Sequence, residues 1–114
     1  MILLYHLVFT DATPSDTWNA GKVLRLSGFK KQVSWLKKHY HITSLNEYLS
    51  NQTESRKKIA LTFDDGYHQT LNQVMPFLQE HEIPATFFLN TSHLDDSNLL
   101  WFVYVNALCF EKMY

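Results

Sequence analysis

The amino-acid sequence predicts an α/β fold with about four parallel strands alternating with helices. Three observations lead there. Short apolar, β-favouring runs recur at Ile2–Tyr5, His41–Thr43, Ile59–Phe63 and Ala85–Leu89, and stretches with apolar residues at helical spacing separate them. Hydrophobic residues make up 46% of the 114 residues and charged residues 18%, the balance of a globular chain rather than a disordered one. Polar groups stand at the carboxyl ends of the runs, at Tyr5-His6, Thr43, Asp64-Asp65 and Asn90. In parallel sheets and barrels, chemistry collects at those ends. The length bounds residues 1–114 to a single domain with enough chain to bury a core.

Each element follows from local pattern. Ile2 to Tyr5 suit a buried first strand, with His6 at its end. Thr10 to Gly21 are rich in Asp, Thr, Ser, Asn, Pro and Gly and predict a long loop. Ser27 is placed to cap a helix from Gly28 to His39, with Phe29, Val33, Leu36 and Tyr40 as its buried stripe and Lys30, Lys31, Lys37 and Lys38 off it. His41-Ile42-Thr43 is a short strand. Ser44-Leu45-Asn46-Glu47 has the form of a capping box and predicts a short helix through Leu49. Asn51 to Lys58 is a polar linker.

Ile59 to Phe63 follow as a buried strand, closed by Gly66. Leu71, Val74, Met75 and Leu78 recur at helical spacing, and Pro76 within that pattern predicts a break or kink, with a helix starting at the proline. Pro84 precedes the strand-like Ala85–Leu89, and Asn90 to Asn98 form a polar loop. Leu99 to Phe110 predict an apolar helix with Trp101, Tyr104, Val105 and Leu108 on one face. Phe102 and Phe110 lie off that face, so such a helix needs cover nearly all round.

Composition excludes several functions. Ten basic and 11 acidic residues leave a net charge of −1, without the basic footprint of a nucleic-acid binder. Arg56-Lys57-Lys58 is short enough to be a solvated loop. Cys109 is alone, which removes an intrachain disulfide and a cysteine metal site. The start lacks a basic region and a long apolar run, and no run reaches the roughly 18–20 residues of a membrane span. The expectation is a cytoplasmic chain without a membrane span.

The centre of the chain is Ile59-Ala60-Leu61-Thr62-Phe63-Asp64-Asp65-Gly66. Two carboxylates at the tip of a buried strand are costly to desolvate unless a metal ion, an arginine or a substrate faces them. Strand-end aspartates also cap turns, and spacing alone leaves both readings open. Among the histidines, His6 is the best placed, either lining a pocket or packing in the core. His93 reads as a loop residue, His39 and His41 lack an acidic third ligand nearby, and His68 and His81 read as helix surface.

At Thr62-Phe63-Asp64-Asp65-Gly66 the sequence resembles the first motif of the polysaccharide deacetylases, carbohydrate esterase family 4. Leu4-Tyr5-His6 is similar to the family's first strand, Ser27 to Leu49 to the helix and short strand that follow, and Ile83-Pro84-Ala85-Thr86-Phe87-Phe88-Leu89 to its next strand. The resemblance implies metal-dependent hydrolysis of carbon–nitrogen bonds other than peptide bonds, deacetylating N-acetylated glycans on a distorted (β/α) barrel. It implies Asp64 as general base and Asp65 as ligand of a divalent metal, usually zinc. His6, Gly66, Tyr67 and Asn90 are then the substrate-binding candidates. A bound cation brings the pKa of its water toward neutrality, the base takes the proton, and the cation steadies the oxyanion.

The family completes its metal site with a His-x₃-His motif. No pair among the six histidines here has three, four or five residues between its members. The expectation is therefore the N-terminal part of a barrel domain, ending before those histidines, with weak zinc binding and little activity alone. The competing expectation is a non-catalytic fragment or interaction subunit that docks, or self-associates, through the apolar 99–110 helix.

Overall fold

The computed structural model describes residues 1–12, 24–50 and 57–90. The apolar 99–110 segment, Cys109 and His93 lie outside them. Four parallel strands form the main sheet: β1 (Ile2–Tyr5), β4 (His41–Thr43), β5 (Lys58–Phe63) and β6 (Thr86–Phe87). A smaller parallel pair joins β2 (Val8–Phe9) to β3 (Leu24–Arg25). Three helices complete the described residues: α1 (Leu26–His39), α2 (Leu45–Ser50) and α3 (His68–Glu80). The α/β class and the parallel strands are as the sequence predicts. The β2–β3 pair is not, because two residues are too few to show a period.

β5 is the axis of the sheet. Ile59 to Phe63 are all buried, as a strand flanked on both edges and covered on both faces must be. Ala60 is level with Ile2 of β1 on one edge and Thr43 of β4 on the other. Two residues on, Thr62 is level with Leu4 of β1 and Thr86 of β6. β4 therefore covers the first half of one edge and β6 the second half of the same edge. Thr43 ends four residues short of Asp64. This corrects the expectation that Thr43 joins the polar groups at the strand tips.

Side chains alternate along β5. Ile59, Leu61 and Phe63 enter the main core with Phe29, Val33 and Leu36 of α1 and Val74, Phe77 and Leu78 of α3. Aromatic rings hold its upper end. Phe63 stacks on Tyr5 at 5.1 Å and on Phe87 at 4.8 Å, and Phe29 meets Tyr5, Phe63 and Phe77 edge-on at 5.3, 5.8 and 6.1 Å. The opposite face carries the small Ala60 and Thr62. Ile2 and Leu4, their partners in register, stay half exposed.

Three local expectations need correction. α1 begins at Leu26, its N-cap is Arg25, and Ser27 does not cap it. The carboxylate of Asp11 accepts the Ser27 hydroxyl at 2.6 Å and its backbone N–H at 3.3 Å. A full negative charge from elsewhere in the chain outcompetes a local hydroxyl at a helix start. α3 runs through Pro76 without interruption. The proline forfeits one intrahelical bond, but Val74, Phe77 and Leu78 around it are anchored in the core, and that burial outweighs the loss. β6 is only two residues long, and Phe88 and Leu89 beyond it are half exposed. The cap at Ser44 holds, its hydroxyl accepting the Glu47 N–H at 3.2 Å, while the Glu47 carboxylate lies 3.7 Å from Lys58.

Two outcomes follow. Phe63→Ala should destabilise the chain by about 3–5 kcal/mol in urea unfolding, because it empties the space shared by three rings. The Ser27 hydroxyl, first, and the charges of Arg25 and Lys30 hold the Asp11 carboxyl below its ordinary value of 3.8. A depressed carboxyl stabilises the fold above its unfolded pKa and stops doing so as pH falls through the folded one. Asp11→Asn should therefore unfold at lower urea than the parent at pH 7. That difference should close as the pH is taken below about 4.

Candidate functional site

The site grows from the upper end of β5. The Asp64 N–H donates to the Tyr5 carbonyl at 2.9 Å, and the Phe88 N–H donates to the Phe63 carbonyl at 2.8 Å. These bonds keep three strand ends level. Beyond Asp64 the backbone turns left-handed twice, at Asp65 (φ 68°) and Gly66 (φ 65°), and α3 begins two residues later. Aspartate is among the few side chains that tolerate this conformation. The turn breaks the alternation of the strand, so that two adjacent carboxylates border one cleft. That cleft, about 460 Å³, is lined by Leu4, Asp64, Asp65, Phe88, Leu89 and Asn90.

His6 leaves the end of β1 beside this turn. Its Nδ1 lies 3.0 Å from Oδ2 of Asp65. An ionised carboxylate only accepts, so Nδ1 carries the proton and Nε2 is left for another partner. The His6 side chain is 57% exposed and Asp65 19%, so the more enclosed partner is the carboxylate. Burial, and secondarily the Asp65 charge, push the Tyr67 hydroxyl above its usual pKa. It remains a protonated donor at neutral pH.

The structure thus brings Asp64, Asp65 and Asn90 to one cleft and pairs His6 with Asp65. Gly66 and Tyr67 form the turn that carries Asp65, and the cleft is not lined by them. Leu4, Phe88 and Leu89 supply apolar walls that strand pattern alone did not assign to a site. Each is about half exposed, which only the folded structure reveals. His39 is engaged elsewhere, stacked on Trp35 with its Nδ1 2.7 Å from the Trp35 carbonyl. His68 lies against Asn72 on the α3 surface.

Among the described residues, no three His, Cys, Asp or Glu side chains gather where they could share a metal ion. Asp65 and His6 offer two donors, already bonded to each other, whereas zinc takes four ligands. The described residues do not make up a metal site.

Comparison with known proteins points in one direction. The family model for polysaccharide deacetylase matches residues 51–106. A poly-beta-1,6-N-acetyl-D-glucosamine N-deacetylase of Staphylococcus epidermidis is 31% identical over 74 residues, covering 61% of this chain. The match spans 26% of that protein, so the chain corresponds to about a quarter of its curated relative. Among solved structures, a de-N-acetylase from Aggregatibacter actinomycetemcomitans superposes with a TM-score of 0.67 at 27% identity, over 84% of this chain and 39% of that one. The Streptococcus pyogenes deacetylase PplD, in complex with acetate, shares the fold with a TM-score of 0.66 at 24% identity, over 97% of this chain and 51% of that one.

The turn itself is testable. A Cβ at Gly66 would stand 2.8 Å from the tip of the Leu89 side chain, which is half exposed and free to swing away. The left-handed backbone is the harder constraint. Gly66→Ala should lower stability by about 1–2 kcal/mol in urea unfolding. Gly66→Asn should lose less.

Proposed function

We propose, for a chain that carries part of a polysaccharide deacetylase domain, that its strand-tip cleft receives an N-acetylated sugar whose acetyl group is to be hydrolysed. The observation that carries this reading is the pair Asp64 and Asp65 bordering one cleft with Asn90 and three apolar side chains. An acetamido group has the same two needs. Its methyl seeks an apolar wall, and its amide seeks polar partners.

On this reading Asp64 accepts a proton from the attacking water. The water oxygen bonds to the acetyl carbonyl carbon, the proton held by Asp64 passes to the sugar nitrogen as the C–N bond breaks, and acetic acid, which ionises to acetate, and a free amine leave. Asp65 is held in one orientation by His6, which removes a rotameric freedom the reaction would otherwise have to freeze. Tyr67, kept protonated, and Asn90 are the donors closest in sequence to the turn and to the cleft edge. Asp65 is also the residue that would contribute a carboxylate to a divalent cation on this reading. The relatives' names support a β-1,6-linked N-acetylglucosamine polymer as substrate.

The test is a titration of the ¹⁵N-labelled chain with β-1,6-linked N-acetylglucosamine oligomers. The amides of Asp64, Asp65, Phe88, Leu89 and Asn90 should shift together. The de-acetylated oligomer should bind about fourfold more weakly, the worth of burying one methyl group at about 0.8 kcal/mol. Any acetate released with zinc added should fall by about 10²–10⁴ in Asp64→Asn, the usual contribution of a general base. Shifts scattered away from the cleft, or no preference for the acetylated sugar, would overturn the reading.

A further inference from the structure

We propose that Thr70 is a positioning residue for the His6–Asp65 pair. Its hydroxyl fixes the backbone from which the imidazole reaches the carboxylate. Thr70 lies in the first turn of α3 and is 2% exposed. Its Oγ1 donates to the His6 carbonyl at 3.2 Å and accepts the Val8 N–H at 3.1 Å. The one proton and one lone pair of the hydroxyl thus clamp both ends of the His6–Val8 segment, which leads from β1 into β2.

The need for a clamp follows from exposure. The His6 side chain is more than half in water, so packing does not fix its ring. The residue before it is fixed by the bond from the Asp64 N–H to the Tyr5 carbonyl. His6 itself and Val8 are held by Thr70. The same short segment carries both anchors, because Asp65 sits in the left-handed turn and Thr70 five residues later in the helix. The carboxylate and the clamp on its partner therefore move as one body. A threonine in a helix commonly bonds back to its own preceding turn. Here it reaches out to another element instead.

This inference leans on the functional reading only for what the pair is for, and its test does not use activity. Long-range ¹H–¹⁵N spectra at pH 7 report the His6 ring nitrogens. In the parent chain the Nδ1 signal should be that of a protonated nitrogen bonded to a carboxylate, and Asp65→Asn should displace it. Thr70→Val should displace it in the same direction, and Thr70→Ser should restore it. If Thr70→Val does not fold by circular dichroism, Thr70→Cys, which keeps the shape with a weaker donor, should give a partial displacement. A folded Thr70→Val or Thr70→Cys chain with the parent's ring signal would overturn the proposal. So would an unmoved signal in Asp65→Asn. A purely structural Thr70 would lower the urea midpoint without moving the ring. A failed reading of the cleft would appear instead in the glycan titration of the parent chain.

Discussion

The register between β1 and β5 is the constraint on which the rest depends. Four residue pairs, from Ile2 with Ala60 to Tyr5 with Phe63, fix it, and the Asp64 N–H adds one more bond to the Tyr5 carbonyl. A slip by one residue would move Ile59, Leu61 and Phe63 off the core face. It would also carry His6 away from Asp65 by more than 3 Å, the rise of one strand residue. The packing of the aromatic rings and the pairing of the polar groups are therefore two outcomes of a single alignment. The core supplies the energy, and the site inherits the precision.

The polar groups at the tip are arranged so that none is stranded in the apolar interior. Asp65, the more enclosed of the His6–Asp65 pair, has the imidazole as partner. Asp64 borders the cleft. Leu4, Phe88 and Leu89 make the walls without closing over them. This resolves the question that the sequence raises about two adjacent carboxylates at a buried strand's end. The turn lifts them out of the sheet before the desolvation cost applies in full.

Much of the fold was legible because its elements are long enough to carry a period. β5 announced itself by five apolar or β-branched residues, and α1 by Phe29, Val33 and Leu36 at helical spacing. The α/β class followed from them, while the resemblance to polysaccharide deacetylases rested on Thr62-Phe63-Asp64-Asp65-Gly66 and the segments Leu4–His6, Ser27–Leu49 and Ile83–Leu89. What was not legible depends on contacts distant in sequence. Ser27 has the right chemistry for a cap, but Asp11 takes its hydroxyl. Pro76 should interrupt a free helix, but buried neighbours on both sides hold it in line. Thr43 has the look of a strand-tip residue, and only the register with Ala60 shows that it falls short. Thr70 carries no signal at all in one dimension, since its two partners lie more than 60 residues away. In the site, Asp64, Asp65 and Asn90 were found as a group. The bond between His6 and Asp65 was not foreseen, because strand order alone does not set the spacing of side chains.

Asp65 answers to two demands that are usually separate. Its side chain is a short acid paired with His6 at 3.0 Å, and its backbone sits at φ 68°. Asparagine and glycine meet the second demand and fail the first. Glutamate keeps the charge but adds a methylene and loses the local bonding that lets aspartate tolerate this region. Aspartate meets both, and for reasons that do not overlap. A change here cannot be repaired by restoring the charge alone or the turn alone. Position 65 thus ties the polar pairing at the strand tip to the backbone turn that starts α3.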